Sequence, residues 1–284
     1  MNARQQNQRQ NPLLVVEDLV VEYPTRGLRG RPFRAVKGVG FDIRPAETVG
    51  LIGESGSGKS TIGRALLGLA PVAGGRILFD GEDVTRPTRR RRRELTGRMQ
   101  MVYQDPYSSL NPAMTIGDIL TEPMTVRRTP RRQAVERVRE LLETVGLPSD
   151  AARRLPREFS GGQRQRVAIA RALVLEPRLI VCDEPVSALD LSTQQRVLDL
   201  LIDIQERTGV AYLFVSHDLT VVRELAHRVA VMYRGEIVER GDGATVTSSP
   251  SHPYTRRLLL SSPVCDPAAQ AERRAQRRRL TAPS

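Results

Sequence analysis

The sequence predicts an α/β protein with a mainly parallel sheet that carries helices on both faces. Short apolar stretches rich in β-branched residues alternate with segments of helical period, an order typical of parallel sheets. One such stretch, ETVGLI, leads straight into a glycine-rich loop and a helical segment, and another, LIVCDEP, ends in two acids. Open parallel sheets bind ligands outside the carboxyl ends of their strands. The glycine-rich loop after ETVGLI and the two acids at the end of LIVCDEP therefore predict a ligand-binding site at this edge of the sheet.

Composition limits the class of protein. The chain has 284 residues, of which 39% are hydrophobic and 27% charged, as in ordinary globular proteins. The N-terminal sequence lacks the apolar core of a secretory signal, and no apolar run reaches the roughly 18 residues of a membrane span. Two cysteines, Cys182 and Cys265, lie too far apart to suggest a metal site. We therefore expect a cytoplasmic protein.

The net charge of +12 comes in part from two arginine-rich runs, at residues 86–94 and 272–280. A basic chain can bind nucleic acid or anionic lipid. Neither run is interleaved with aromatic residues that could stack on bases. We interpret the first run as a solvated loop and the second as a disordered tail.

The first third of the chain predicts strands, one helix and a hairpin. After a disordered segment at residues 1–12, LLVVEDLVVEY and AVKGVGFDIRP are typical of strands. Behind the glycine-rich loop, TIGRALLGL has helical spacing, and GGRILFDGEDV predicts a small hairpin. The helical spacing places four apolar residues on one face: Ile62, Ala65, Leu66 and Leu69.

The character of the chain changes over residues 105–158, where we expect a helical insert. Prolines punctuate this segment, and RRQAVERVRELLETVGL is helical by its period. Its predicted apolar face consists of Val135, Val138, Leu142 and Val145. Strands and helices then alternate up to residue 248, and residues 249–284 are interpreted as an extension.

The glycine-rich loop fits the pattern G-x-x-x-x-G-K-[ST] between a strand and a helix, which is the context that confirms a phosphate loop. Its backbone amides can wrap a phosphate chain. We expect Lys59 to reach the β- and γ-phosphates and the Ser60 hydroxyl to bind Mg²⁺. The nucleotide-binding candidates are Gly53, Glu54, Ser55, Gly56, Ser57, Gly58, Lys59, Ser60 and Thr61.

Two further strand ends carry candidate catalytic residues. Asp183 follows the strand LIVC and suits Mg²⁺ or its waters, while Glu184 can polarise the attacking water as a general base. His217 follows the strand VAYLFV and could contact a γ-phosphate. We expect the three strand ends to converge on one nucleotide.

The stretch FSGGQRQR, at residues 159–166, has two compatible interpretations. Ser160 and Gln163 have the S-x-x-Q spacing of a capping box at the start of an amphipathic helix. Gly161 and Gly162 can also expose backbone N–H groups where the helix dipole favours an anion. The stretch by itself leaves both roles open.

The chain contains, in this order, GESGSGKST, the glutamine of MVYQDPYSSLNP, FSGGQRQR, LIVCDEP, SALD and the histidine after VAYLFVS. With these motifs the chain resembles ATP-binding cassette (ABC) subunits of transporters over about residues 13–245. The resemblance implies a P-loop NTPase core at residues 13–248, with a mainly parallel sheet, an antiparallel β subdomain and a helical subdomain at about 105–158. YQDPYSSLNP and HPYTRRLLLSSP are similar to the oligopeptide, dipeptide and nickel import branch.

The resemblance also implies residue roles. Tyr23 matches the aromatic residue that stacks on adenine. Gln104 matches the glutamine that senses Mg²⁺ and γ-phosphate and links the helical insert to the membrane subunits. Ser160, Gly161, Gly162 and Gln163 match the motif that completes the nucleotide site of a second, head-to-tail cassette. Asp190, at the end of SALD, belongs to the loop that couples the two sites. Phe159 stands where the pattern usually has leucine.

The function expected from this resemblance is ATP hydrolysis with Mg²⁺ that energises import of oligopeptides, dipeptides, nickel or related solutes. The implied partners are a second ABC ATPase, in a homodimer or a heterodimer, two transmembrane permeases and a solute-binding protein. The chain would lie at the cytoplasmic face of the membrane. With only Cys265 beyond HPYT, no iron–sulfur cluster is expected.

Three alternatives are weighed against this expectation. A soluble ABC ATPase acting on nucleic acid would fit the positive charge, but neither a long coiled-coil insertion nor a second cassette is seen in the sequence. A regulatory subunit that does not hydrolyse ATP would be expected to lack Glu184 or Lys59. An ABC subunit for a different solute is the third alternative; within transport, only the HPYT extension argues for import rather than export.

Overall fold

The computed structural model describes residues 11–25, 32–105 and 109–261. Cys265, the basic run at 272–280 and most of the predicted N-terminal disordered segment lie outside the described residues. Within them, the chain forms two compact units. The first unit contains residues 44–46 and 87–213, and the second contains residues 12–43, 47–86 and the chain from residue 214 onward.

The elements of the described chain follow in order. The strands are β1 Leu14–Tyr23, β2 Phe33–Ile43, β3 Thr48–Ile52, β4 Val72–Phe79, β5 Glu82–Asp83, β6 Met99–Val102, β7 Leu179–Asp183, β8 Ala211–Ser216, β9 Arg228–Tyr233 and β10 Glu236–Asp242. The α-helices are α1 Lys59–Leu66, α2 Arg89–Leu95, α3 Ile116–Val126, α4 Arg131–Thr144, α5 Gly161–Leu173, α6 Leu191–Thr208, α7 Leu219–Leu225, α8 Gly243–Ser248 and α9 Pro253–Ser261. Short 3₁₀ turns occupy Ser149–Arg153 and Pro156–Glu158.

The second unit contains an antiparallel sheet in the order β2-β1-β4-β5. Leu14 of β1 lies opposite Ile43 on one side and Phe79 on the other, and all three side chains are buried. Leu14 and Val16 are buried and then Leu19 and Val21, so the alternation expected of a strand shifts by one residue at the irregularity between Val16 and Leu19. The predicted antiparallel subdomain is therefore present.

The same unit holds the strand that leads into the phosphate loop. β3 runs parallel to β9, which pairs antiparallel with β10. All five residues of β3 are buried, which explains their continuous apolar character. Arg228, at the start of β9, donates to Glu47 at 2.6 Å and to Asp42 at 2.8 Å. These ion pairs fasten β2 and the residue preceding β3 to β9.

The first unit contains the parallel strand pair β6 and β7 and most of the helices. Within the expected insert at 105–158, α3 and α4 pack against each other and against α5. The apolar face of α5 is fully covered, with Val167, Ile169 and Ala170 at 0% exposure. β8 begins in the first unit and ends in the second.

The structure corrects the interpretation of residues 86–94 as a loop, because Arg89–Leu95 form helix α2. Thr88 caps this helix by accepting a hydrogen bond from the Arg91 amide at 3.3 Å. Glu94 pairs with Arg91 at 2.7 Å and with Arg90 at 3.4 Å. Arginine has a high helix propensity, and the cap and the ion pairs to Glu94 add to it.

Two predicted apolar faces are partly wrong. Leu69 is 58% exposed because α1 ends at Leu66 and Gly68 turns the chain with φ 68°. Val135 is also 58% exposed, and Ala134 takes its place on the buried face of α4 with Val138 and Leu142.

None of the helices in the described part of the chain combines the length and the apolar character that spanning a bilayer requires.

Candidate nucleotide-binding site

The phosphate loop lies in the second unit, between β3 and α1. Its glycines allow close backbone contact: a Cβ atom on Gly53 would lie 2.1 Å from the Met232 carbonyl oxygen, and one on Gly58 would lie 2.6 Å from the Ala35 carbonyl oxygen. Gly58 also has φ 108°, a conformation that side chains disfavour. Any larger residue at these two positions would displace the loop from β2 and β9.

Lys59, the first residue of α1, holds its ammonium group against the loop. Its Nζ donates to the Gly53 carbonyl at 2.7 Å and to the Glu54 carbonyl at 2.9 Å. The side chain is only 4% exposed. Burial shields this ammonium group from solvent, and opposite charges attract more strongly in such a place than in water, so the position suits an anion.

Ser57 supplies an independent sign that the loop is built for a ligand. Its hydroxyl is buried and has no hydrogen-bond partner among the described residues. The backbone around it is well held, since its amide donates to Glu54 at 3.2 Å and its carbonyl accepts from Gly235 at 3.0 Å. An orphaned buried hydroxyl beside a buried ammonium fits a polyphosphate that accepts from both.

Tyr23 and His217 belong to the same unit as the loop. Tyr23 is the last residue of β1 and is partly exposed, opposite Phe33, which is 60% exposed. His217 follows β8 directly and is exposed. The next residue, Asp218, caps α7 by accepting from the Thr220 amide at 2.8 Å. The cap fixes the backbone on which His217 is displayed.

The strand-end acids lie in the first unit. Asp183 closes β7 and is 6% exposed, whereas Glu184 is partly exposed. Glu184 has φ 48°, a left-handed conformation that is uncommon for a residue with a side chain. Its carbonyl accepts from the Ser187 amide at 3.3 Å and from the Ser187 hydroxyl at 3.1 Å. This turn holds the backbone of Glu184 directly after β7.

Cys182 belongs to the core of β7. The side chain is 0% exposed, and burial raises the pKa of its thiol. A neutral buried thiol packs as a small apolar side chain. The expectation that Cys182 is a core residue is confirmed.

The FSGGQ segment forms the predicted capping box at the start of α5. The Gln163 amide donates to the Ser160 hydroxyl at 3.3 Å, and the Ser160 amide donates to the Gln163 side chain at 2.9 Å. The preceding Phe159 is 3% exposed, while Ser160 is exposed. The hydrophobic side chain at position 159 is therefore buried in the core.

The two glycines of this segment have different neighbours, which the sequence did not reveal. A Cβ atom on Gly162 would lie 2.2 Å from the Thr193 methyl group of α6. One on Gly161 would lie 3.7 Å from Leu189, an ordinary contact. Gly162 is therefore needed for packing, and the segment lies beside the SALD loop within the first unit.

Asp190 ends the SALD loop and caps α6. Its carboxylate accepts from the Ser192 hydroxyl at 2.7 Å and from the Thr193 amide at 3.0 Å. These hydrogen bonds, of which that from Ser192 has the largest effect, hold the pKa of Asp190 well below its ordinary value.

Gln104 lies two residues beyond β6 and is exposed. Its predicted contacts with Mg²⁺ and the membrane subunits remain predictions.

The predicted site residues therefore divide between the units. The second unit contains Tyr23, His217 and the phosphate loop (53–61). The first unit contains Gln104, Ser160 to Gln163, Asp183, Glu184 and Asp190.

Sequence reasoning missed Tyr254, whose hydroxyl accepts a hydrogen bond from the Glu54 amide at 2.9 Å. The HPYT motif was a signal for this residue, but nothing in it identifies a partner 200 positions away.

Comparison with protein families identifies the class to which this fold and site belong. The family model described as ABC transporter matches residues 36–187. The chain belongs to the ABC transporter family, and its fold is that of the family's P-loop ATPase domain.

Two curated relatives show a more specific similarity within this family. The chain is 50% identical over 268 residues to the glutathione import ATP-binding protein GsiA of Escherichia coli O157:H7, and to that of Shigella flexneri. Each alignment covers 93% of this chain and 43% of the relative. The chain thus spans less than half the length of these curated relatives.

Solved structures share the fold. CbiO1 from Clostridium perfringens, part of the ABC transporter complex CbiONQ, superimposes with a TM-score of 0.75 at 27% identity, covering 87% of this chain and 94% of that one. The cassette MJ0796, in a dimeric post-hydrolysis state bound to ADP and Pi, gives a TM-score of 0.72 at 27% identity. That match covers 81% of this chain and 98% of MJ0796.

Proposed function

We propose that this chain is the ATP-hydrolysing subunit of an importer for glutathione or similar short peptides. The observation that carries the proposal is the phosphate loop, where the Lys59 ammonium lies against the loop carbonyls beside the orphaned Ser57 hydroxyl. The 50% identity to an ATP-binding protein of glutathione import supports the solute class. A nickel or other solute importer of the same branch is the alternative.

The phosphate loop binds the triphosphate. Its inward amides and Lys59 stabilise negative charge on the β- and γ-phosphates, and this stabilisation grows as charge develops on the transferring group. Tyr23 stacks on the adenine ring. Asp183, Ser60 and Gln104 offer oxygen ligands of the kind that Mg²⁺ prefers. When bound, Mg²⁺ neutralises phosphate charge and orients the γ-phosphoryl group.

Glu184 is the general base that orients and deprotonates the attacking water. A carboxylate suits this role when it is held by the backbone, and the turn at Ser187 holds the Glu184 peptide. His217 contacts the γ-phosphate. The water attacks phosphorus in line, the bond to the β-phosphate oxygen breaks, and ADP and inorganic phosphate are the products.

The FSGGQ segment serves a second cassette, which is another copy of this chain or a related ATPase. An exposed Ser160 at a capped helix start, followed by the open Gly161, suits an incoming phosphate. Asp190, in the adjoining SALD loop, couples the two sites. The dimeric form of the related MJ0796 cassette is in keeping with this arrangement.

A groove in the first unit offers a place for the permease. It has a volume of about 460 Å³ and is lined by residues 109–112, Met114, Ile119, Glu122 and Arg171. Arg171 bridges the groove by donating to the Ser109 carbonyl at 2.7 Å and to Glu122 at 3.4 Å. Two permeases would hold the chain at the cytoplasmic face of the membrane, and a solute-binding protein would deliver the cargo.

The first test measures ATP hydrolysis by the purified chain. Lys59→Ala is expected to lose nucleotide binding and hydrolysis, because the buried cation is removed. Lys37→Ala is the matched control, since Lys37 is exposed and its nitrogen lies 3.8 Å from the Glu236 carboxylate. Hydrolysis by Lys59→Ala at the wild-type rate would overturn the assignment of the loop.

The second test addresses the solute. The chain is reconstituted with its two permeases in liposomes, and ATP hydrolysis is followed as glutathione, a dipeptide or nickel is supplied with the binding protein. Glutathione is expected to stimulate hydrolysis most. Stimulation by nickel alone would support the alternative solute and contradict the peptide assignment.

A further inference from the structure

Helix α9, the last helix of the described residues, is anchored to β10 by one carboxylate. Glu239 of β10 accepts from the Ser251 amide at 2.6 Å, the Ser251 hydroxyl at 2.8 Å and the His252 amide at 3.1 Å. Burial acts to raise the pKa of Glu239, but the interaction with the Thr255 side chain, together with the bonds from Ser251 and His252, outweighs it and holds the pKa below its ordinary value. The turn that begins α9 is thus fixed by charge-assisted bonds.

The turn is also braced from within the helix. Arg256 donates to the Pro250 carbonyl at 3.1 Å and to the Ser251 carbonyl at 2.8 Å. The Tyr254 amide donates to the Nδ1 atom of His252 at 3.2 Å. These contacts limit the rotation of the first turn of α9, to which Tyr254 belongs.

The Tyr254 ring is buried beneath this turn. It is 3% exposed, and its centroid lies 4.3 Å from that of Tyr233, the last residue of β9. The Arg257 guanidinium lies 5.9 Å from the Tyr254 ring centroid. The residue before Tyr233 is Met232, whose carbonyl lies where a side chain on Gly53 would have to be. The ring pair therefore lies directly beside the start of the phosphate loop.

The Tyr254 hydroxyl reaches the loop itself. It accepts from the Glu54 amide at 2.9 Å. The Glu54 carbonyl accepts from the Lys59 ammonium at 2.9 Å and from the Ser57 amide at 3.2 Å. The amide of Glu54 is therefore hydrogen-bonded to Tyr254 of α9, and its carbonyl is hydrogen-bonded to Lys59.

We propose that Tyr254 is a positioning residue that holds the phosphate loop in its nucleotide-binding form. The hydroxyl restrains the Glu54 peptide before nucleotide arrives, so less conformational entropy is lost when phosphate binds. The HPYT extension then acts as part of the nucleotide site. The effect on affinity rests on the proposed nucleotide binding, whereas the restraint on Glu54 does not.

A merely structural role for Tyr254 makes a different prediction. If the ring only packs α9 onto the core, removal of its hydroxyl leaves the loop and its nucleotide affinity unchanged. Tyr254→Phe keeps the ring and removes only the hydroxyl, which accepts the hydrogen bond from the Glu54 amide. Tyr233→Phe is the matched control, because it removes a hydroxyl from the other ring of the pair, for which no hydrogen bond is found among the described residues.

The experiment measures two quantities on the full chain. Amide hydrogen exchange at Glu54, followed by NMR without nucleotide, is expected to be about 2- to 10-fold faster in Tyr254→Phe, the range for one lost neutral hydrogen bond. The Kd for ADP and the KM for ATP are expected to rise by a similar factor while kcat changes little. Tyr233→Phe is expected to match the wild type in both.

Unchanged exchange at Glu54 in Tyr254→Phe would overturn the proposal. So would unchanged or tighter ADP binding by a variant whose Glu54 amide does exchange faster, because the hydroxyl would then restrain the loop without favouring nucleotide. If the wild-type chain binds no nucleotide, the proposed function fails, and the exchange rates still decide whether Tyr254 holds the loop.

Discussion

Replacement of Ser160 by aspartate separates the two roles of the FSGGQ segment. Ser160 caps α5 through bonds of 3.3 Å and 2.9 Å in its box with Gln163. Aspartate caps helices about as well as serine does, whereas alanine costs about 1 kcal/mol. Ser160→Asp is therefore expected to melt within about 1 °C of the wild type, and Ser160→Ala about 2–4 °C lower, as the usual conversion for a domain of this size gives.

The activity of Ser160→Asp should behave differently from its stability. A carboxylate about 4 Å from a phosphate charge costs roughly 4 kcal/mol near a protein surface, and 1.4 kcal/mol is tenfold in an equilibrium constant. ATP hydrolysis is therefore expected to fall by about 100-fold or more. Ser160→Ala, which adds no charge, should lose much less activity.

The assay is phosphate release at saturating ATP, run beside thermal melting of the same preparations. The defect of Ser160→Asp should be corrected in trans, since a mixed dimer retains one intact composite site. A stable Ser160→Asp chain that hydrolyses ATP at the wild-type rate would show that Ser160 only caps α5.

Three further predictions follow from the described contacts. Glu184→Gln should bind ATP with about wild-type affinity, hydrolyse it at least 100-fold more slowly and accumulate a closed dimer by light scattering; hydrolysis at the normal rate would refute the assignment of Glu184 as the base. Gly162→Ala should lower the free energy of unfolding by about 1–2 kcal/mol through the contact with Thr193, whereas Gly161→Ala should not, and equal denaturation midpoints would contradict this difference. The pKa of Glu239 is lowered in the folded chain, so its contribution to stability is present above its ordinary value of 4.5 and is lost as the pH falls through the folded pKa. The melting difference between wild type and Glu239→Gln should therefore shrink below about pH 4.5, and a constant difference from pH 7 to pH 3 would refute the anchor.

The sequence was sufficient for the parts of the site that depend on local pattern. ETVGLI could only be a buried strand before a phosphate loop, and Ser160 and Gln163 form the box that their spacing predicts. Asp183, the last residue of β7, and Glu184, which follows it, also stand where expected, at the carboxyl end of a parallel strand. These features follow from residues within a few positions of one another.

The features that the sequence could not predict depend on contacts between distant segments or on competing local preferences. The bond from Glu54 to Tyr254 joins positions 200 residues apart. The left-handed φ of Glu184 depends on a turn held by Ser187, and no residue type indicates it. The interpretation of residues 86–94 as a loop was wrong, because the Thr88 cap and the ion pairs to Glu94 favour the helix Arg89–Leu95 despite the charge of the run.

The central claim is that two cassettes must enclose ATP before either hydrolyses it. The most direct measurement is turnover per chain at saturating ATP over a dilution series of the purified chain, with molar mass followed by light scattering. Turnover per chain should rise with concentration and level off where the ATP-bound dimer is fully formed. The same turnover per chain at every dilution, with a monomeric mass throughout, would contradict the claim.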